Sequence, residues 1–184
     1  MRIAISGTPG TGKTSVATHL QKKGYTIVRL NDLAINHDYV DGVDKTRNTK
    51  LIDIQKLNVF IQKNYSTKDL VFFEGHMAHL LPSMEKVIIL RCHPQKLKRR
   101  LKKKGWKTKK IKENIEAETL DIILCEAVGL HQKKNIFEID TTNKTSEDVA
   151  ALIHTIVKKN FEPTKPYRIG QIDWSEEILK TYLS

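Results

Sequence analysis

The sequence predicts an α/β fold on two observations. Short apolar runs alternate along the chain with longer segments of helical period, and a glycine-rich turn stands between the first run and the first helix. Arg2 to Ser6 is the first expected strand, and a helix follows the turn from Lys13 to about Lys23. Tyr25 to Arg29 is a second strand. Asn31 can cap a short helix, after which Asn36 to Lys50 is polar and aperiodic and is expected to be mobile. Ile54, Leu57 and Ile61 then share one helical face. Leu70 to Phe73 is a buried strand ending in an acid, and Lys86 to Arg91 is the next. Pro94 opens a helix with Leu97 and Leu101 inward and its bases toward water. Gly105 ends that helix, and one further helix is expected from Ile111 to about Val128. Ile136 to Ile139 is the fifth strand. The last regular helix starts at Thr145-Ser146-Glu147-Asp148 and buries Val149, Leu152, Ile153 and Ile156. From Phe161 to Ser184 the pattern weakens into a C-terminal arm, amphipathic from Trp174 to Leu183. With no repeat or linker, residues 1–184 read as one domain, large enough to bury a core.

Composition narrows the function classes. A hydrophobic fraction of 39% with 29% charged residues suits a globular protein. No apolar run approaches the ~20 residues of a membrane span, and Met1 to Ile5 is too short for a secretory signal. Cys92 and Cys125 follow no metal or redox spacing and fit buried thiols in a reducing compartment, so a cytoplasmic location is expected. The net charge of +11 is localised: Lys96 to Lys112 carries eleven bases and no acid, and the rest of the chain is formally neutral. Such a segment suits nucleotide phosphates, an RNA backbone or an acidic partner, or else it is a solvated helix face.

Gly7-Thr8-Pro9-Gly10-Thr11-Gly12-Lys13-Thr14 matches G-x-x-x-x-G-K-[ST] between a buried strand and an amphipathic helix, where a phosphate-cradling loop belongs. Glycines such as Gly10 and Gly12 let backbone N–H groups turn inward, and the helix N-terminus adds positive potential. Lys13 should reach the β- and γ-phosphates of ATP, Thr14 should ligate Mg²⁺, and Ser15 should lie near the α-phosphate. Glu74, closing its buried strand, is the expected carboxylate for Mg²⁺ or water, unless it merely leaves the strand into solvent. His76 is a candidate for positioning the attacking group, and His79 is a structural or hydrogen-bonding histidine. The corner from Lys103 to Glu113, with Gly105 as hinge, suits a lid that brings Lys104 or Arg100 to the triphosphate. Trp106 either stacks on adenine or packs against the base of that lid.

These residues resemble the adenylate kinase isoenzyme 6 family, also known as a small-subunit ribosome assembly ATPase. The resemblance rests on GTPGTGKTS, Asn31-Asp32-Leu33-Ala34, Asp41-Gly42-Val43-Asp44, Glu74-Gly75-His76, Leu90-Arg91 and Leu101 through Gly105-Trp106 to Glu113-Asn114-Ile115, in order and spacing. It covers roughly residues 1–160. It implies a five-stranded parallel sheet with helices on both faces, a monophosphate-binding region over 29–52 and a lid over 103–113. ATP contacts would come from Gly10, Gly12, Lys13, Thr14, Ser15 and Lys104, with Thr14 and Glu74 at the metal and Lys13, Glu74 and His76 catalytic. AMP would meet Asp32, Arg29 and Arg47. A ribosomal protein of the small-subunit platform and a role in rRNA maturation are also implied, with rRNA a possible contact of the basic segment 96–112. Three positions depart from the family pattern. Glu74 stands where many relatives have aspartate, and Lys104 where arginine is common. Leu33-Ala34-Ile35 follows Asn31-Asp32 where adenylate kinases carry the arginine that grips AMP, so Arg29, Arg47 or Arg91 would have to substitute.

Three functions follow: a nucleoside monophosphate kinase, an assembly factor switched by ATP hydrolysis, and a kinase for another small metabolite. All three require Lys13. Lys13→Ala is expected to lower turnover at least ~10²-fold, or ~2.7 kcal/mol, with little effect on folding. Steady-state rates of the folded variant check this; near-native turnover would remove Lys13 from the chemistry.

Overall fold

A computed structural model describes residues 1–44, 49–162 and 165–177. Five strands form one parallel sheet: β1 (Arg2–Ser6), β2 (Thr26–Arg29), β5 (Val71–Glu74), β6 (Lys86–Arg91) and β7 (Ile136–Asp140). Their order is β2-β5-β1-β6-β7, so β1 lies in the middle and the chain turns from one side of it to the other between β5 and β6. A ligand site is therefore expected past the carboxyl end of β1, where the connections diverge.

The strands are continuously apolar because both faces are covered. On one face Ile3, Ile5, Phe72, Ile88, Leu90, Phe137 and Ile139 pack with Val16 and Leu20 of α1 (Lys13–Lys22) and with Val149, Ala150 and Ile153 of α7 (Ser146–Lys158). On the other, Ala4, Phe73, Val87 and Ile89 meet Leu57 and Ile61 of α3 (Ile54–Asn64) and Ala127 of α6 (Ile122–Leu130). The period-2 alternation along each strand sorts these side chains to opposite sides. α7 begins at a capping box in which the Thr145 side chain accepts from the Asp148 N–H and the Asp148 carboxylate accepts from the Thr145 N–H. Such a cap is worth about 1 kcal/mol. Arg29 rather than Asn31 occupies the N-cap of α2 (Leu30–Asn36), without a side-chain bond.

Two expectations need correction. The segment that shows no period in the sequence contains a two-stranded antiparallel ribbon, β3 (Val40–Asp44) and β4 (Thr49–Ile52), with a register irregularity between Val40 and Gly42. Its stabilising contacts are cross-strand backbone bonds, which leave little trace in hydropathy. The helix expected over 111–128 is two, α5 (Thr108–Thr119) and α6, broken where Asp121 adopts a left-handed backbone at φ 55.

That break serves a buried charge cluster at the carboxyl end of β6. Arg91, 2% exposed, donates from Nε to Glu118 Oε1 at 2.9 Å, from Nη1 to Glu138 Oε1 at 2.6 Å, and from Nη2 to the Asp121 carboxylate. Arg91 is therefore not available to a monophosphate. Burial opposes its charge, but the three carboxylates more than compensate and raise its pKa. The arm extends the cluster. Arg168 bridges antiparallel to Phe137, the Gly170 N–H donates to Glu138 Oε2 at 2.7 Å, and Trp174 Nε1 reaches Glu118 Oε1 at 3.4 Å. Further along, Gln95 of α4 (Pro94–Lys103) donates to Glu177 at 3.1 Å.

Replacing Arg91 with methionine removes the countercharge of three carboxylates. Urea denaturation at neutral pH is expected to show a loss of about 3–5 kcal/mol. A loss below about 1 kcal/mol would mean that the cluster is satisfied without the guanidinium.

Candidate active site

The glycine-rich loop lies between β1 and α1, at the carboxyl end of the central strand. Gly12 stands at the N-cap of α1 with φ 104, a conformation that side chains resist, and makes no side-chain cap bond. The first N–H groups of α1 are thereby left to an anion. Gly10 is fixed by packing as well as by its φ of +97. A Cβ there would stand 2.8 Å from Leu97 Cδ1 and 2.9 Å from Leu101 Cδ2, so the absence of a side chain lets α4 rest on the loop.

Lys13 is 8% exposed and donates from Nζ to the carbonyls of Gly7 at 2.7 Å and Thr8 at 3.1 Å. Burial lowers its pKa to about 8, with Lys104 pushing the same way and Glu74 and Glu118 resisting. The ammonium is still mostly protonated at neutral pH, and a bound phosphate would reinforce it.

Thr14 Oγ1 donates to Glu74 Oε1 at 3.2 Å, and Glu74 is 7% exposed. Glu74 therefore turns toward the loop and not into solvent. A hydroxyl and a carboxylate in contact form a hard oxygen pair, which fits Mg²⁺ that keeps waters and takes its other ligands from phosphate. Among the described residues no three His, Cys, Asp or Glu side chains group as a metal site. His76 lies half-buried just beyond Glu74, and its carbonyl accepts from Ser6 Oγ at 3.2 Å. Burial, then the charges of Lys13 and His79, lower its pKa to about 4, so the ring is neutral at physiological pH. His79 is structural: Nδ1 lies 2.8 Å from Ser6 Oγ and Nε2 lies 2.8 Å from Glu126.

Beside the loop, Gly10, Gly12 and Ser15 share the wall of a cavity of about 510 Å³ with Arg100, Lys104 and Thr141. Arg100 donates to the Thr141 carbonyl at 2.7 Å and lies 3.5 Å from the Gly10 carbonyl. Trp106 packs on Cys92, Leu97, Leu101 and Ile111 and carries Lys110 on its face, 4.5 Å from the ring centroid, so it braces the α4–α5 corner. Arg29 lies opposite Glu74 in the β2–β5 register, and Asp32 is exposed in the first turn of α2. Arg47 lies outside the described residues.

Sequence reasoning missed Glu118. Its Oε2 accepts from Thr8 Oγ1 of the loop at 2.5 Å, and its Oε1 accepts from the Cys92 N–H at 3.0 Å as well as from Arg91. Its one signal in the sequence is an acid three residues after Ile115, one helical turn along.

The family described as AAA domain matches residues 3–121. The chain belongs to this AAA-domain family. Relatives of the AAA-domain chain include proteins called Putative adenylate kinase. That of Pyrococcus furiosus is 39% identical, over 97% of this chain and 96% of its own. That of Archaeoglobus fulgidus is also 39% identical, over 97% and 94%. Among solved structures, shikimate kinase from Acinetobacter baumannii in complex with shikimate superposes with a TM-score of 0.59 over 86% of this chain and 93% of its own. At 17% identity that likeness concerns the fold, a parallel sheet with helices on both faces.

The depressed His76 pKa predicts the order of protonation. Between about pH 6.5 and 4 the unfolded chain holds the proton and the folded one does not. Stability attached to His76 is therefore complete above pH 6.5 and lost as pH falls toward 4. NMR titration of the imidazole is expected to give a midpoint near 4. A midpoint near 6.5 would show the ring to be solvated.

Proposed function

We propose that this P-loop kinase transfers the γ-phosphoryl group of Mg-ATP to AMP, giving two ADP, and also hydrolyses ATP. In that reading the bond from γ-phosphorus to the bridging oxygen of ADP breaks as a bond forms to an AMP phosphate oxygen, or in hydrolysis to a water oxygen whose proton passes to the phosphate product or solvent. The observation that carries the reading is the convergence of Lys13, the Thr14–Glu74 pair and neutral His76 at the carboxyl end of the central strand. When bound, Mg²⁺ supplies charge neutralisation at the β- and γ-oxygens, and Thr14 and Glu74 would hold it. Lys13 binds the same phosphates. Gly10, Gly12 and Ser15 contribute the cradle, and Lys104 closes it as part of a lid over 103–113. His76 orients the acceptor or water through its neutral ring, which is too weak a base at this pKa to hold a proton for long.

AMP would enter over 29–52, with Arg29, Asp32 and Arg47 as its contacts. Arg91 is occupied by carboxylates, which favours a weak monophosphate site and gives weight to a second reading, the hydrolytic switch. The same assignment includes cytoplasmic maturation of the small ribosomal subunit with a platform ribosomal protein. Exposed Lys96, Lys98, Arg99, Lys102 and Lys103 of α4 would then meet rRNA. Among the described residues no helix is long and apolar enough to cross a membrane.

The test follows γ-labelled ATP with and without AMP. Label is expected in ADP when AMP is present and as free phosphate when it is absent. Glu74→Gln should slow both routes at least about tenfold while ATP binding falls less. His76→Ala should depress hydrolysis with ATP binding intact. Label found only as phosphate, whatever monophosphate is supplied, would leave the switch alone standing.

A further inference from the structure

At the end of β6 opposite Arg91, a second cavity of about 540 Å³ opens beside the starts of β6 and β7. β6 runs six residues from Lys86 to Arg91, roughly 17 Å at the rise of a strand, so this cavity is remote from the phosphate loop. Its floor is the pair Phe137 and Phe161, both buried, with ring centroids 5.1 Å apart. Lys86 Nζ stands over both rings, 5.3 Å from Phe161 and 5.8 Å from Phe137, and donates to Asn135 Oδ1 at 2.8 Å. Lys133, Lys134 and Arg168 complete the basic lining, against one carboxylate, Glu162.

Three features make this more than a lysine-rich surface. The cations come from separate parts of the chain: the start of β6, the 3₁₀ turn Lys133–Asn135, and the arm that carries Arg168. Like charges are thus assembled around a concavity by the fold, not by sequence adjacency. Second, the wall holds backbone strain. Asn160 closes α7 in the left-handed conformation usual at a helix end, at φ 50, but Phe161 follows it at φ 63, where a bulky aromatic is a genuine outlier. Such strain persists where the surroundings over-determine it and gathers at ligand clamps. Third, Lys86 has a lowered pKa, from burial first and then from Lys134. An anion in the cavity would offset both by direct attraction.

We propose that this cavity is a phosphate-binding site, separate from the nucleotide site, that takes a phosphate or diphosphate group. Lysines at several angles suit a tetrahedral group with several acceptor oxygens better than a single planar carboxylate. The group has two possible carriers, a small phosphorylated molecule or the backbone of single-stranded RNA.

The experiment titrates pyrophosphate by calorimetry into the full chain saturated with ADP without magnesium, so that the phosphate loop is occupied. One site is expected, with an affinity independent of further ADP. The double variant Lys86→Gln/Lys134→Gln should weaken it at least about tenfold and leave ADP affinity unchanged. Should the pair fail to fold, Lys134→Gln alone, at an exposed position, is expected to weaken it severalfold. A short single-stranded RNA separates the carriers. Tighter binding than pyrophosphate, with a salt dependence flattened by the same substitutions, assigns the backbone. Binding no tighter assigns a small molecule. No pyrophosphate binding at low salt, or binding that the substitutions leave intact, overturns the site. A hexaglutamate peptide binding there in place of pyrophosphate also overturns it, in favour of acidic peptides.

Discussion

Arg91 placed among three carboxylates is the constraint around which the nucleotide end of the fold is organised. One cation cannot neutralise Glu118, Glu138 and Asp121, so the cluster draws on further donors. Thr8 Oγ1, the Cys92 N–H and the Gly170 N–H supply these, each from a different part of the chain. Glu138 shows the tension: burial raises its pKa, while Arg91 and the Gly170 N–H pull it down. Buried ionic groups add little net stability against an apolar alternative, but they penalise every arrangement that leaves a charge unpaired. Here that penalty selects a single docking of loop, helix corner and arm.

Glu118 ties the phosphate loop to the α4–α5 corner in a specific way. It is the penultimate residue of α5, and its two oxygens contact the loop on one side and β6 on the other. Movement of α5 is therefore transmitted to Thr8 through a 2.5 Å hydrogen bond and not through loose packing. On the other flank, Arg100 joins the Thr141 carbonyl to the loop, so the α4–α5 corner is tied at both ends. Lys13, with its pKa depressed by burial, waits beneath this frame for a phosphate.

The sheet and the loop were legible because their signals are local. Four apolar residues before Glu74, and glycines at fixed offsets before Lys13, each carry their meaning within a few positions. The ribbon of β3 and β4 was not legible: its apolar residues are sparse among charges, and backbone pairing between strands leaves no hydropathy signal. The helix break at Asp121 was hidden for another reason. The apolar period runs on from Ile115 to Leu124, and only a guanidinium 30 residues earlier in the chain makes the left-handed turn worthwhile. Arg91 stood as one of three arginines that could substitute at AMP, since nothing in the sequence says that acids 27, 30 and 47 residues away converge on it.

The sharing of Glu118 also bears on how this chain can change over generations. The side chains of Thr8, Arg91 and Trp174 address one carboxylate, as does the Cys92 backbone N–H, so a substitution at any of those three side chains alters the value of the others. Neighbours bound through one group do not behave additively. Loss of Glu118 alone would leave Arg91 paired with Glu138 and Asp121, whereas loss of Arg91 would strip every acid of the cluster of its countercharge. Position 118 is then expected to drift before position 91 does, with Thr8 and Trp174 changing alongside it.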